Sequence, residues 1–214
     1  MSLPVIILGG GGHGRVVIEA LLRAGMPVAG VIDPDGRIAA ALPEALPWLG
    51  GEDVLAVHPP AAYRLANGVG GIGDGRRRRS FERMKQAGYG FVGVRHPSAV
   101  VAETGVTLGE GCQIMAGAVI QPGVRIGANY VINTRVAIDQ DCVIGDHCHV
   151  APGAVLCGGV TVGDDTHIGA GAVVIQGVRI GRGCMIGANA TILRDVPDGM
   201  IVYSAGDRRE KPRG

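Results

Sequence analysis

The chain has 214 residues, 20 Lys and Arg against 19 Asp and Glu, and a formal net charge of +1, which excludes the strong field of a nucleic-acid or anionic-membrane binder. Two Phe and one Trp exclude an aromatic-filled core or a base-stacking surface. No uncharged apolar run approaches the roughly 18 residues of a membrane span; no basic segment precedes the first apolar run, so no signal peptide is expected; and the length admits one large domain or two small ones.

Residues 5–8, Val-Ile-Ile-Leu, read as a buried strand, and Gly9-Gly10-Gly11-Gly12-His13-Gly14 follows at once. Residues 15–24 read as a helix ended by Gly25, and residues 28–32 as a second strand ending in Asp33. The unit is βαβ, with Gly9, Gly11 and Gly14 in G-x-G-x-x-G spacing and an acid about twenty residues on. Such a turn aims backbone N–H groups and a helix N-terminus at a phosphate; alternatively it only lets helix and strand pack closely. His13 is a substrate contact or a surface turn residue, and Asp33 a hydroxyl acceptor or a polar strand end. Only about 95 residues precede the repeats described below, too few for both halves of a dinucleotide domain.

Residues 36–52 hold two prolines and little periodicity and are expected to be a linking excursion. Asp53–His58 reads as a third strand, Ala61–Ala66 as a short helix, and Gly68–Ile72 as another strand. Its tip, Gly73-Asp74-Gly75, would lie at a carboxyl strand end, where open α/β sheets bind ligands. Arg76–Arg79 begins a helix that runs to about Ala87; the four arginines form a solvated face from which one could reach a diphosphate. Phe91–Val94 closes the small sheet.

From Leu108 to Ile192 every sixth residue is Leu, Ile or Val, fifteen in succession. A period of six fits neither a helix nor simple strand alternation and marks a hexapeptide β-helix. Three repeats close a triangular coil, so Ile114, Ile132, Val150, Ile168 and Ile186 should form one interior row. Four residues after each aliphatic comes a small or medium residue. Three residues after it comes Gly, Asn or Asp, types that tolerate the positive φ of a tight corner. Only Arg135 and His147 break the corner rule.

Cys112, Cys142, Cys148 and Cys184 share one interior repeat position and Cys157 follows an aliphatic one. They lack the paired spacing of a metal site and read as buried small apolar thiols; no metal is expected. Five unpaired thiols also favour a reducing, cytoplasmic setting.

The stretches GGGGHGRVV, VID, GIGDGRRR and HPSAVV, followed by hexapeptides containing DCVIGDHCHVAPGAVLCGGVTVG, together resemble the NeuD/PglD-type acyltransferases over about residues 4–202. The resemblance implies a Rossmann-like α/β domain for sugar nucleotides at residues 1–95, a left-handed parallel β-helix at 96–202, and a tail at 203–214. It also implies a homotrimer in which acetyl-CoA lies between subunits. The activity implied is N-acetylation of a nucleotide-linked amino sugar for surface polysaccharide or glycan synthesis. Sugar O-acetylation and a non-catalytic nucleotide-sugar-binding trimer are the alternatives. By the same resemblance, Gly11, Gly12, His13, Asp33 and Gly73 contact the sugar nucleotide, and His149, Ala170 and Ala188 the coenzyme.

The family's general base is a His in a D-H-D/E motif, which reads Asp139-Gln140-Asp141 here. An amide does not accept a proton at physiological pH, and Asp141, matching the orienting acid, also fits the corner rule. Three readings follow: a base is dispensable for a weakly basic sugar amine; Asp141, His147 or His149 substitutes; or the protein only binds. His149 and His167, eighteen residues apart, should stack on adjacent coils. Arg135 could meet a coenzyme phosphate or a neighbouring subunit. Where relatives carry Gly-x-Pro-Ala after the last coil, this chain has Tyr203-Ser204-Ala205-Gly206-Asp207.

Overall fold

The computed structural model describes residues 3–71, 73–203 and 211–212. The chain divides into two compact units, the first ending at Pro97 and the second beginning at Ser98.

The first unit is organised around β1 (Val5–Leu8), whose four side chains are all buried, as an apolar strand covered on both faces requires. It is followed by α1 (Gly12–Arg23), β2 (Val28–Ile32), β3 (Trp48–Gly50), β4 (Arg64–Asn67) and α2 (Arg76–Gln86). The four strands form one parallel sheet in the order β3-β2-β1-β4. Helix α1 buries Val17, Ile18, Ala20 and Leu21, one apolar stripe at helical spacing. It stops where Gly25 adopts φ +68° and the Met26 N–H turns back to the Leu21 carbonyl.

Several expected elements differ. The linking excursion contains a 3₁₀ turn at Gly36–Ala41 and the edge strand β3. Asp53–His58 is no strand: a 3₁₀ turn occupies Glu52–Val57 with nothing buried. The helix expected at Ala61–Ala66 is a turn leading into β4, because Leu65, Ala66 and Asn67 are buried beside β1. There the demand of β1 for ladder partners outweighs alanine's helical preference. The strand expected at Gly68–Ile72 ends at Asn67 instead. A Cβ on Gly68 would strike the Gly9 carbonyl oxygen and come within 2.9 Å of Gly14 Cα, so the chain leaves the sheet where it meets the glycine turn. Phe91 makes a one-residue parallel bridge to Leu65.

The second unit is a left-handed parallel β-helix. Each hexapeptide supplies a two-residue strand whose aliphatic points inward and whose preceding residue points outward. The strands fall on three faces. The first carries Gln113–Ile114, Val131–Ile132, His149–Val150, His167–Ile168 and Met185–Ile186, in parallel register. The second runs from Val100–Val101 through Val119–Ile120, Ala137–Ile138, Val155–Leu156 and Val173–Val174 to Thr191–Ile192. The third runs from Thr107–Leu108 to Arg179–Ile180. The predicted interior row from Ile114 to Ile186 is fully buried.

The corner rule has a backbone cause. Asn129, Arg135, Asp141, His147, Asp165 and Asn189 all lie at φ between +48° and +60°; Arg135 and His147 obey the geometry while lacking a residue type suited to it. Two further expectations are corrected. Tyr130 occupies the inward small-residue position and is completely buried. Three of the four thiols at that position are not only apolar filler, since they reach a corner carbonyl fifteen or thirteen residues ahead. Cys142 donates to the Cys157 carbonyl at 3.2 Å, Cys148 to Gly163 at 3.1 Å and Cys184 to Pro197 at 3.1 Å. Thr166, in the same column, does so at 2.8 Å to Gly181.

Candidate active site

A cleft of about 940 Å³ opens at the carboxyl ends of β1, β2 and β4. One wall is the glycine turn feeding α1. Gly9, at φ +89°, Gly14 and Gly68 have no side chain because backbone of the neighbouring segments would meet it. Gly11 and Gly12 are different: a Cβ on either would meet nothing within 4 Å. Packing therefore explains three of these glycines, while Gly11 and Gly12 leave bare backbone facing the cleft. The N-terminus of α1 has no side-chain cap and no acid in its first turn, so the positive end of its dipole suits an anion.

Asp33 stands at the end of β2 and lines the cleft. Its carboxylate accepts from the Gly10 N–H at 2.8 Å and from the Asp35 N–H at 2.9 Å. It braces the glycine turn as well as offering its remaining lone pairs to a ligand. His13, in the first turn of α1, also lines the cleft. Gly73 is exposed and lies outside the lining residues; because β4 ends at Asn67, the tip that faces the cleft is Gly68-Val69-Gly70.

The opposite wall is α2, with Arg76, Arg79 and Arg83. The buried Asn67 sets its position, donating from Nδ2 to the Arg77 carbonyl at 2.9 Å while its Oδ1 accepts from Val69 N–H at 3.2 Å. Arg76 pairs with Asp74 at 2.6 Å and Arg83 with Glu52 at 2.5 Å, and Arg79 has no ion pair among the described residues. The backbone N–H of Arg76, its guanidinium and the nearby Arg79 charge hold the Asp74 carboxyl below the ordinary carboxylate range. Reading the arginine run as a solvated face is right for Arg78, paired with Glu82, and wrong for Arg77, which is buried; Arg76, Arg79 and Arg83 recur on the cleft side, where one arginine is expected to reach a diphosphate.

In the β-helix the candidate residues sit on different corners. Gln140 and Asp141 occupy the corner after the second face and are both exposed. Their side chains diverge. The Gln140 amide lies over Gly158 of the following coil, and the Asp141 carboxylate over Gly123 of the preceding one, on opposite sides of their own coil. Asp141 therefore does not orient Gln140.

His149 points outward from the first face and stacks edge-on against His167, ring centroids 5.0 Å apart. Asn133 Nδ2 lies 3.3 Å from its Nε2; an amide NH₂ only donates, which puts the His149 proton on Nδ1. Ala170 and Ala188 are exposed on the corner after that face, one coil apart, with the Asn189 N–H donating to the Ala170 carbonyl at 2.8 Å. His147 lies on the third corner, where Asn129 Nδ2 meets its Nδ1 at 2.9 Å. Among the described residues no group of three or more His, Cys, Asp or Glu converges to hold a metal, and no helix is long and apolar enough to cross a membrane. Ser204–Asp207 of the divergent tail lie outside the described residues.

Comparison with known proteins matches both units. The family described as PglD N-terminal domain matches residues 4–84. Bacterial transferase hexapeptide repeats match residues 105–140 and 159–194, and the hexapeptide repeat of succinyl-transferase matches 135–176. The acetyltransferase domain of PglB from Neisseria gonorrhoeae FA1090 is 30% identical over 99% of this chain and 100% of its own, with a TM-score of 0.85. PerB from Caulobacter crescentus, in complex with CoA and GDP-perosamine, is 37% identical over 99% of this chain and 100% of its own, again with a TM-score of 0.85. The bifunctional protein GlmU of Syntrophotalea carbinolica is 35% identical over 82 residues, so the match spans 38% of this chain and 17% of that protein.

Proposed function

The chain belongs to the NeuD/PglD-type hexapeptide-repeat acetyltransferases, and we propose that within this family it transfers the acetyl group of acetyl-CoA to the amino group of a nucleotide-linked amino sugar. The observation that carries this reading is the cleft of the first unit. Bare glycine backbone at Gly11 and Gly12, an uncapped helix start and a facing arginine wall suit a diphosphate, and the cleft is attached to an acyl-transfer coil. In this reading the N–H groups at Gly12 and His13 and the side chain of Arg79 hold the diphosphate, and Asp33 keeps the turn in shape. GDP-linked sugars are the first candidates, because the 37%-identical PerB is complexed with GDP-perosamine.

The coenzyme lies by His149, Ala170 and Ala188, and Gln140 stands at the reacting thioester. One chain presents these groups on two different corners, which supports a homotrimer in which a second copy brings its own corner alongside. The outward residues of the second face support the same assembly: Val119, Ala137, Val155 and Val173 are aliphatic and half-buried, and Val100 is 61% exposed, a stripe that a neighbouring copy would cover. The reaction needs no metal. Holding amine and thioester together supplies much of the rate, and a sugar amine, less basic than lysine, offers a useful neutral fraction near pH 7. The product would enter surface polysaccharide or glycan synthesis from the cytoplasm.

The test is thiol release from acetyl-CoA with a panel of GDP-, UDP- and dTDP-linked amino sugars. Release with at least one of them is expected, with mass gain on the sugar amine. Background release with all of them would sink the assignment. Nucleotide-sugar binding by calorimetry without coenzyme binding would point to a binding-only trimer instead.

A further inference from the structure

Gln140 cannot act as the proton acceptor its position calls for, and its surroundings give it another task. Its backbone is fixed on both sides: the N–H donates to Asp139 Oδ1 at 3.0 Å, and the carbonyl accepts from the Gly159 N–H at 2.8 Å. The side-chain amide is exposed and has no hydrogen-bond partner among the described residues. It is nevertheless seated, since Nε2 occupies the place where Gly158 would carry a Cβ and Cδ lies 2.8 Å from that place. Gly158 does not adopt a left-handed φ, so its backbone does not call for glycine. What uses the missing side chain is the amide of Gln140.

An amide NH₂ is a donor. A donor fixed in advance where negative charge develops is the usual means of stabilising the oxyanion of acyl transfer. Resting on the proposed acetyl transfer, we infer that Gln140 donates from Nε2 to the thioester carbonyl oxygen, that Gly158 is the positioning residue that seats it, and that no side chain of this corner removes the amine proton. The neutral amine's lone pair forms the C–N bond while the C=O π pair moves to oxygen, where the Nε2–H holds it. Reforming the carbonyl breaks the C–S bond, and sulfur leaves as the coenzyme A thiolate. The extra proton on the new ammonium nitrogen passes to water. Asp141, with its carboxylate over Gly123, does not intervene.

Gln140→Glu tests this directly, because it keeps the size, deletes the donor and adds an acceptor. The expected result is a kcat about 100-fold lower, the order seen when one oxyanion donor is removed, with nucleotide-sugar affinity unchanged. Calorimetry should show wild-type protein preferring acetyl-CoA to coenzyme A and the Glu variant losing that preference. Gly158→Ala is the second arm. Only the flexible end of Gln140 obstructs the new methyl, so the thermal midpoint should hold while kcat falls at least about tenfold, as for a displaced donor. An active wild type with a Glu variant as fast or faster overturns the inference and leaves acetyl transfer standing; so does an unchanged kcat in Gly158→Ala. A wild type that releases no thiol with any amino sugar overturns both.

Discussion

Thr166→Val is the sharpest probe of how the coil is held together. Thr166 is 1% exposed; its Oγ1 donates to the Gly181 carbonyl at 2.8 Å and accepts from the Cys184 N–H at 3.1 Å. Valine has nearly the same shape, so no cavity forms. What is lost is the hydroxyl, leaving one backbone C=O and one N–H buried without it. At about 1–3 kcal/mol for each buried group left unsatisfied, the substitution should cost about 2–6 kcal/mol. Thr166→Ser keeps both hydrogen bonds and loses one methyl, and should cost about 1 kcal/mol. The assay is equilibrium urea unfolding at fixed protein concentration, since assembly would shift the midpoint, with hydrogen exchange at the Cys184 amide as the local readout. In the valine variant that amide should lose protection before its neighbours. A loss below about 0.5 kcal/mol with Cys184 still protected would refute the idea that this column of hydroxyl and thiol donors fastens the corners.

Three further outcomes are expected. Asp33→Ala removes the carboxylate that braces the glycine turn at the Gly10 N–H and should weaken nucleotide-sugar binding at least about tenfold, or about 1.4 kcal/mol, in calorimetry. Arg135→Gly and His147→Gly, which relieve left-handed backbone, should each raise stability by about 1 kcal/mol in urea unfolding; a simultaneous fall in acetyl transfer would show the side chain to be functional. The Arg37 side chain, then its backbone N–H, lowers the Asp35 carboxyl to about 2. The pair's contribution is therefore present above about pH 4 and lost as pH falls through about 2, and NMR titration of Arg37→Ala should find the carboxyl raised but still below its usual value, because the backbone N–H of residue 37 remains.

How much of this was legible in the chain depends on whether a residue's role is local. The six-residue period fixed the interior rows, because in a β-helix a residue's neighbour is always the one a full coil away; Ile114 and Ile132 had nowhere else to meet. The corner residues were equally readable, since positive φ is a property of one backbone position. The glycine turn, the caps of α1 and the place of Gln140 in the motif also belong to short segments. The alternating roles of the glycines did not. Whether Gly11 or Gly14 serves packing or ligand depends on what stands opposite: the Gly9 carbonyl bars a side chain at Gly14, nothing meets one at Gly11, and the return of Gly68 after β4 closes the turn from the other side. The same return moved the second tip of the cleft from Gly73 to Gly68–Gly70, because strand length there is set by a collision with Gly9 and Gly14 and not by propensity. The thiols looked apolar in sequence, as nothing local announces a carbonyl fifteen residues ahead. And Asp139-Gln140-Asp141 reads as one unit in sequence, whereas the coil sends the amide of Gln140 forward onto Gly158 and the carboxylate of Asp141 back over Gly123, because each side chain settles against the neighbouring coil that has a glycine to receive it.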